Sequence, residues 1–377
     1  MTSMQSAMDG TTDPTMEALI GQPVTSLDTP ALWVDLEALE HNIGTMARVT
    51  REHGVDWRPH VKASKAPALA LRLIAGGAVG VTCAKVGEAE VMVEGGVTDI
   101  LIANEIVGPI KIARLVDLAR RATVCVAVDD ERNIRQLSSA ANADGVNIDV
   151  LVDINVGANR CGVTPEVAPA LAQLVIDLPG ISLRGLMGYE GHVMGMQMED
   201  KEAESARAAD ILQQAIAALR AAGIEPGVVS GGGTGNYWIA TALGSLTELQ
   251  AGGGVLLDQT YSDAMKVPDH RQALFLTAQV VSTAVEGRAI ADAGWKASGM
   301  HTGVPLVVSP EGLAVARLNA EHTILTREAG ADLKPGDRVT MIPHYSDSTV
   351  LLHRRMYAVR GGLVEDVWPI AGAGMLQ

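Results

Sequence analysis

The feature that most constrains this chain is a beat. From residue 57 to residue 250, short apolar runs alternate with longer stretches of helical period. The runs are 57–61, 79–83, 99–102, 124–128, 149–154, 183–187, 227–229 and 246–250. Between them, 66–75, 86–94, 111–121 and 206–221 carry apolar residues at helical spacing. Such alternation calls for a parallel sheet with helices outside it. Eight units in about 200 residues suit a closed (β/α)8 barrel, with a doubly wound open sheet as the alternative. After about residue 265 the beat stops. The segments 274–283, 288–292, 313–318, 338–342, 349–353 and 356–360 read as short strands. Pro335-Gly336-Asp337 and Gly361-Gly362 mark turns between them. The expected layout is an α/β barrel over 26–266, a mostly β domain over 267–377 and a loose arm over 1–25. The run 31–35 fits either domain.

Composition narrows the partners. The chain has 377 residues, 47% of them hydrophobic, enough for a large core. Lys and Arg total 29 against 44 Asp and Glu, a formal charge of −15. That balance argues against nucleic acid and against an anionic membrane surface, since both need a basic face. No apolar run approaches a membrane span. The first 30 residues include Asp9, Asp13, Glu17 and Asp28, which do not read as a signal peptide. Cys83, Cys125 and Cys161 are scattered, a pattern that suits a reducing cytoplasm.

In a barrel of this kind the reactive groups stand where the strands end. Reading along the eight runs gives His60 and Lys62, Lys85, Asn104, Asp129, Asn155 and Arg160, then Tyr189, Glu190 and His192. The seventh run ends in Ser230-Gly231-Gly232-Gly233-Thr234-Gly235, and Gln250 ends the eighth. The glycines let backbone N–H groups close on an anion, with Ser230 and Thr234 as hydroxyl donors. A helix expected from about Gly235 would aim its N-terminus at the same place. No Lys follows, so this is not a P-loop. The plain alternative is a flexible turn. Lys62 lies among apolar neighbours near Arg58 and Lys65. Desolvation and like charge both lower a lysine pKa, which suits Schiff-base chemistry. A reactive lysine opposite a phosphate cradle suggests pyridoxal phosphate.

Taken together, these motifs resemble the fold-type III pyridoxal-phosphate enzymes, which share the alanine racemase barrel. Within them the chain is most similar to the D-threonine aldolase and D-serine dehydratase group. The resemblance is carried by Asp28-Thr29-Pro30-Ala31, Arg58-Pro59-His60-Val61-Lys62, Asn104-Glu105-Ile106-Val107-Gly108-Pro109 and Gly157-Ala158-Asn159-Arg160-Cys161-Gly162. Further along it is carried by the glycine run, Glu248-Leu249-Gln250-Ala251-Gly252, Asp292-Ala293-Gly294 and Glu365-Asp366-Val367-Trp368. It implies that Lys62, with Lys65 as rival, binds the cofactor aldehyde. It implies that Arg160 and Tyr189 reach the ring, and that Gly232, Gly233 and Thr234 hold the phosphate.

The resemblance also implies a divalent metal on the β domain, held by a His and an Asp or Cys two residues apart. Here Asp347 matches the acidic ligand, but Tyr345 stands where the His belongs and His344 comes one residue early. In a regular strand His344 and Asp347 would face opposite ways. Carboxylate and imidazole suit Mg²⁺, Mn²⁺ or Zn²⁺. Gly195 occupies the place of a histidine common in the aldolases, which makes His192 the first candidate for the base. His322 also matches a position in the β domain, its role open. The implied reaction is cleavage of a β-hydroxy-D-amino acid to glycine and an aldehyde. The alternatives are dehydration of D-serine or 3-hydroxy-D-aspartate, racemisation, or cofactor carriage without turnover. The implied partners are a small amino-acid substrate and a second copy of the chain.

Overall fold

The computed structural model describes residues 18–301, 303–328 and 332–377. Its contacts divide the chain into two compact units. One comprises residues up to His41, Leu256–Thr260 and Arg271–Ala373; the other comprises Asn42–Val255, Tyr261–His270 and Gly374–Gln377.

In chain order the strands are β1 (Ala31–Asp35), β2 (Asp56–Trp57), β3 (Val81–Cys83), β4 (Asp99–Glu105) and β5 (Thr123–Val128). Next come β6 (Ile148–Asp153), β7 (Ile181–Gly188), β8 (Val228–Gly231) and β9 (Glu248–Leu249). The sheet of the second unit runs β2-β9-β8-β7-β6-β5-β4-β3, every pair parallel. It closes on itself, because His60 bridges Thr82 and the Val79 N–H donates to the Trp57 carbonyl at 2.9 Å. This is the barrel the alternation called for, and all eight apolar runs contribute a strand. Helices Pro67–Ala75, Val86–Glu94, Pro109–Ala119, Glu131–Ala143, Ala168–Asp177 and Met198–Ala221 follow successive strands. Their starts are written locally: Pro67 and Pro109 sit in first turns, and the Asp130 carboxylate caps the N–H groups of Arg132 and Asn133.

The barrel is filled by alternate side chains. Leu101, Cys125, Ala127, Leu151 and Met187 form a buried apolar cluster. A buried polar set also crosses between strands. The Arg58 guanidinium meets Glu248 and Asp99, each at 2.7 Å, and the Ser230 hydroxyl donates to Glu248 at 2.7 Å.

The other unit is antiparallel for the most part. It adds β10 (Leu274–Ser282), β11 (Arg288–Ala291), β12 (Leu306–Ser309), β13 (Leu313–Leu318) and β14 (Thr323–Arg327). It ends with β15 (Arg338–Ile342), β16 (Arg355–Arg360) and β17 (Leu363–Pro369). One path through it is β13-β14-β11-β10-β1-β16-β17, with β15 between β10 and β12. The early run settles here: β1 lies antiparallel to β10 and parallel to β16, and Trp33 stacks on Phe275 at 4.5 Å.

Three expectations are corrected. The layout of 26–266 and 267–377 differs from the observed division, because β1 hydrogen-bonds to strands more than 200 residues away. Of the arm at 1–25, residues 1–17 lie outside the described residues. Residues 21–24 are tied down, with Gly21 and Val24 N–H groups donating to Val364 and Gly362. The run 349–353 is not a strand but helical turns, Ser346–Thr349 and Val350–Leu352.

Candidate active site

Lys62 lies in a single 3-10 turn, Val61–Ala63, just beyond β2. His60 caps that turn, its Nδ1 accepting the Lys62 N–H at 3.3 Å. Desolvation holds the His60 imidazole well below its ordinary value, and the charges of Lys62, Lys65 and Arg160 push the same way. All three charges act on that ring. Lys65 is buried, with φ of 51°, and its ammonium is paired with the buried Glu88, which also accepts the Ala84 N–H at 2.7 Å.

Arg160 follows β6 on a loop shaped by Asn155. The Asn155 Oδ1 accepts the N–H groups of Gly157 and Asn159, each at 3.1 Å, and Gly157 has φ of 115°. The Arg160 guanidinium stands 5.6 Å from the centroid of Tyr189, just beyond β7. Tyr189 in turn reaches the glycine loop: a Cβ on Gly233 would lie 3.1 Å from the tyrosine ring and 2.8 Å from the Met194 methyl. A side chain there would have to displace the Met194 methyl. His192, in the 3-10 turn Gly191–Val193, has its Nε2 3.1 Å from where a Gly157 Cβ would be. Its buried Nδ1 has no hydrogen-bond partner among the described residues.

The glycine loop differs in detail from its expected form. The Gly232 N–H donates to Glu190 Oε2 at 3.2 Å and the Gly233 N–H to Asn236 Oδ1 at 3.1 Å. Asn236 Nδ2 then donates to Glu190 Oε1 at 2.8 Å, so Glu190 and Asn236 brace the loop from behind. Burial raises the Glu190 pKa, and its hydrogen bonds oppose that. The N–H groups of Thr234 and Gly235 find no acceptor among the described residues, and the Thr234 hydroxyl oxygen accepts only from Gly254. The loop N–H groups without an acceptor among the described residues are thus those of Thr234 and Gly235, not those of Gly232 and Gly233. Ser230 is withdrawn from that role. Its hydroxyl proton goes to Glu248, and it accepts from Gln250 Nε2 at 3.0 Å, so Ser230 and Gln250 belong to the barrel interior. Gly231 is also interior, because a Cβ there would run into the Gly188 carbonyl. The expected helix at Gly235 is one turn, Tyr237–Ala240, too short to focus a dipole.

The remaining strand-end residues are structural in their contacts. Asn104 Nδ2 donates to the Ala84 carbonyl at 3.0 Å, Asp129 accepts the Gly162 N–H at 3.0 Å, and Lys85 flanks the start of helix Val86–Glu94. Glu105, Asp129 and Cys161 gather their ligand-type atoms within 4.8 Å of one another. Asp153 beside them is pushed up to about 8 by burial and by Glu105.

In the β unit, His344 precedes the helical turn that carries Asp347. The Thr260 hydroxyl lies 3.2 Å from His344 Nδ1, and the Thr260 N–H donates to the His344 carbonyl at 2.9 Å. Tyr345 faces His301, ring centroids 6.0 Å apart. The donor chemistry of His344 and Asp347 suits a divalent cation, but they belong to no gathered set of three ligand-type side chains among the described residues. His322 is exposed in the turn before β14.

Glu190, Asn236 and Asn155 were not singled out as supports by sequence reasoning. Their signal is faint, a polar residue within two places of a glycine. Lys201 had a clearer one. It shares a helical face with Ser205, Ala208, Leu212, Ala215 and Leu219, all buried.

A closed parallel barrel with a lysine, an arginine and a glycine loop at the strand ends defines a class of enzyme. A family model described as alanine racemase, N-terminal domain, matches residues 34–258, and one for a serine dehydratase domain matches residues 273–359. The chain belongs to the alanine racemase N-terminal-domain family. It is 40% identical over 359 residues to D-threonine aldolase of Arthrobacter sp., covering 94% of this chain and 95% of that protein. It is 36% identical to a 3-hydroxy-D-aspartate aldolase of Paracoccus denitrificans, covering 95% of each. The crystal structure of D-threonine aldolase from Filomicrobium marinum superposes with a TM-score of 0.92 at 40% identity, over 95% of this chain and 98% of that one.

Proposed function

We propose that this chain is a pyridoxal-phosphate-dependent lyase that cleaves β-hydroxy-D-amino acids of the D-threonine type to glycine and an aldehyde. One observation carries the reading: Lys62, Arg160 and Tyr189 converge at the strand ends beside a glycine loop that presents the N–H groups of Thr234 and Gly235. The names of the aldolase relatives support the substrate class. The unspent N–H groups of Thr234 and Gly235 fit a cofactor that brings acceptors with it. When bound, that cofactor supplies an electron sink for the bond being broken.

The residues then divide the work. Lys62 supplies the amine that holds the cofactor and yields it to the substrate. Lys65 is removed from that contest by its buried pair with Glu88. Arg160 and Tyr189 hold the ring, and Thr234 and Gly235 hold the phosphate. His192 takes the proton of the substrate's β-hydroxyl at Nδ1. A divalent ion at His344 and Asp347 would have an imidazole and a carboxylate to support it. The enzyme acts as a homodimer in the cytoplasm; exposed Val107 and Ile110 and three free cysteines support that.

The test incubates the pure protein with D-threonine and D-serine, with and without Mn²⁺, beside Lys62→Ala. Glycine and acetaldehyde are expected, with product and the visible cofactor band both lost in K62A. A 2-oxo acid with ammonia would move the protein to the dehydratases. A K62A protein that keeps the band would overturn the assignment of Lys62.

A further inference from the structure

Lys201 is 1% exposed, among the most buried polar groups of the molecule. It lies on helix Met198–Ala221, on the face that packs inward. Its ammonium donates to two backbone carbonyls, Gly235 at 2.9 Å and Met265 at 3.0 Å, and stands 5.5 Å from the ring centroid of Trp238. No carboxylate pairs with it among the described residues. Desolvation lowers its pKa. Glu190, the carboxylate that touches the same loop, spends its oxygens on the Gly232 N–H and on Asn236.

A buried cation without an anion is costly. Here the location is informative. The carbonyl that Lys201 holds belongs to Gly235, whose own N–H has no acceptor among the described residues. Within one residue the N and O atoms are at most about 4 Å apart, so the ammonium lies within roughly 7 Å of that N–H. The loop carries no other cation: residues 230–236 are Ser, Gly, Gly, Gly, Thr, Gly and Asn.

We infer that Lys201 is the counter-charge for the phosphate of the cofactor, a positioning residue that acts through the Gly235 peptide rather than by touching the ligand. It turns the Gly235 carbonyl toward itself, where that oxygen cannot repel a dianion, and it adds a fixed positive charge behind the N–H donors. This rests on the pyridoxal-phosphate reading above.

The experiment compares two aldehydes on the cofactor-free full chain: pyridoxal phosphate and pyridoxal, which lacks the phosphate. Dissociation constants are read from the visible absorbance of the lysine-bound form in wild type, Lys201→Gln and Lys201→Arg. Glutamine keeps a donor for the carbonyls and removes the charge; arginine keeps the charge. K201Q should bind pyridoxal phosphate at least about tenfold more weakly, with pyridoxal affinity within about twofold of wild type, and K201R should recover most of the loss. Pyridoxal binding doubles as the control for folding. Equal weakening toward both aldehydes, or no weakening, overturns the counter-charge and leaves Lys201 a structural staple. A wild type that takes up neither aldehyde overturns the cofactor reading itself, so the two failures are distinguishable.

Discussion

Replacing Arg58 by Met tests what closes the barrel. Arg58 is 1% exposed and its two ion pairs are unequal. Asp99 is 32% exposed, so water takes over when the guanidinium leaves. Glu248 is 3% exposed and keeps only the Ser230 hydroxyl, a neutral donor. The loss therefore concentrates on one stranded buried carboxylate. Breaking a buried pair in this way costs about 3–5 kcal/mol. Coulomb attraction of about 4 kcal/mol, for unit charges 4 Å apart at an effective dielectric constant near 20, gives the same scale. Urea unfolding of wild type, R58M and R58M/E248Q measures it. The double variant should recover most of the deficit, because no charge is left to strand. A loss under about 1 kcal/mol, or one unrelieved by E248Q, would refute the reasoning.

Two further outcomes are expected. Gly185 has φ of 151° at a register shift between β6 and β7, and a Cβ there would collide with the Val228 carbonyl of β8. Gly185→Ala should therefore cost roughly 3 kcal/mol or more by urea unfolding; a near-neutral result would mean the two strands separate freely. Because His60 is held well below 6.5, the unfolded chain takes up a proton that the folded one refuses. Stability should fall as pH drops below about 6.5, and His60→Asn, which retains an oxygen to cap the Lys62 N–H, should flatten that slope. An unchanged slope would place its origin elsewhere.

The sequence was most readable where a pattern repeats. Helix Val86–Glu94 was placed to the residue, and all eight barrel runs found their strands. It was least readable where a segment's partners are remote. The run 349–353 has the β-branched and aliphatic make-up of a strand. Yet the Thr349 hydroxyl bonds the Tyr345 and Ser298 carbonyls and the backbone coils. β12, with its exposed residues between Pro305 and Pro310, gives no alternation to read. The sequence offers Lys62, Arg160 and Tyr189 by spacing and resemblance, because a strand end is a position in the sequence, and the spacing after Arg58-Pro59-His60 favours Lys62 over Lys65. The pairing of Lys65 with Glu88, twenty-three residues further on, is visible only in the tertiary structure.

The sequence alone determined the class of fold, the order of the strands and the residue types at their ends, because periodicity and turn chemistry are local properties of a chain. The tertiary structure decided where each polar hydrogen goes. It sent the Ser230 proton to Glu248 and the Gly232 N–H to Glu190, left the Thr234 and Gly235 N–H groups without an acceptor among the described residues, and set Lys201 against the Gly235 carbonyl. Those choices depend on which strands and helices meet at a given height in the barrel. Hydrogen bonds act over about 3 Å, and only packing brings residues 190, 201, 235 and 248 within that reach.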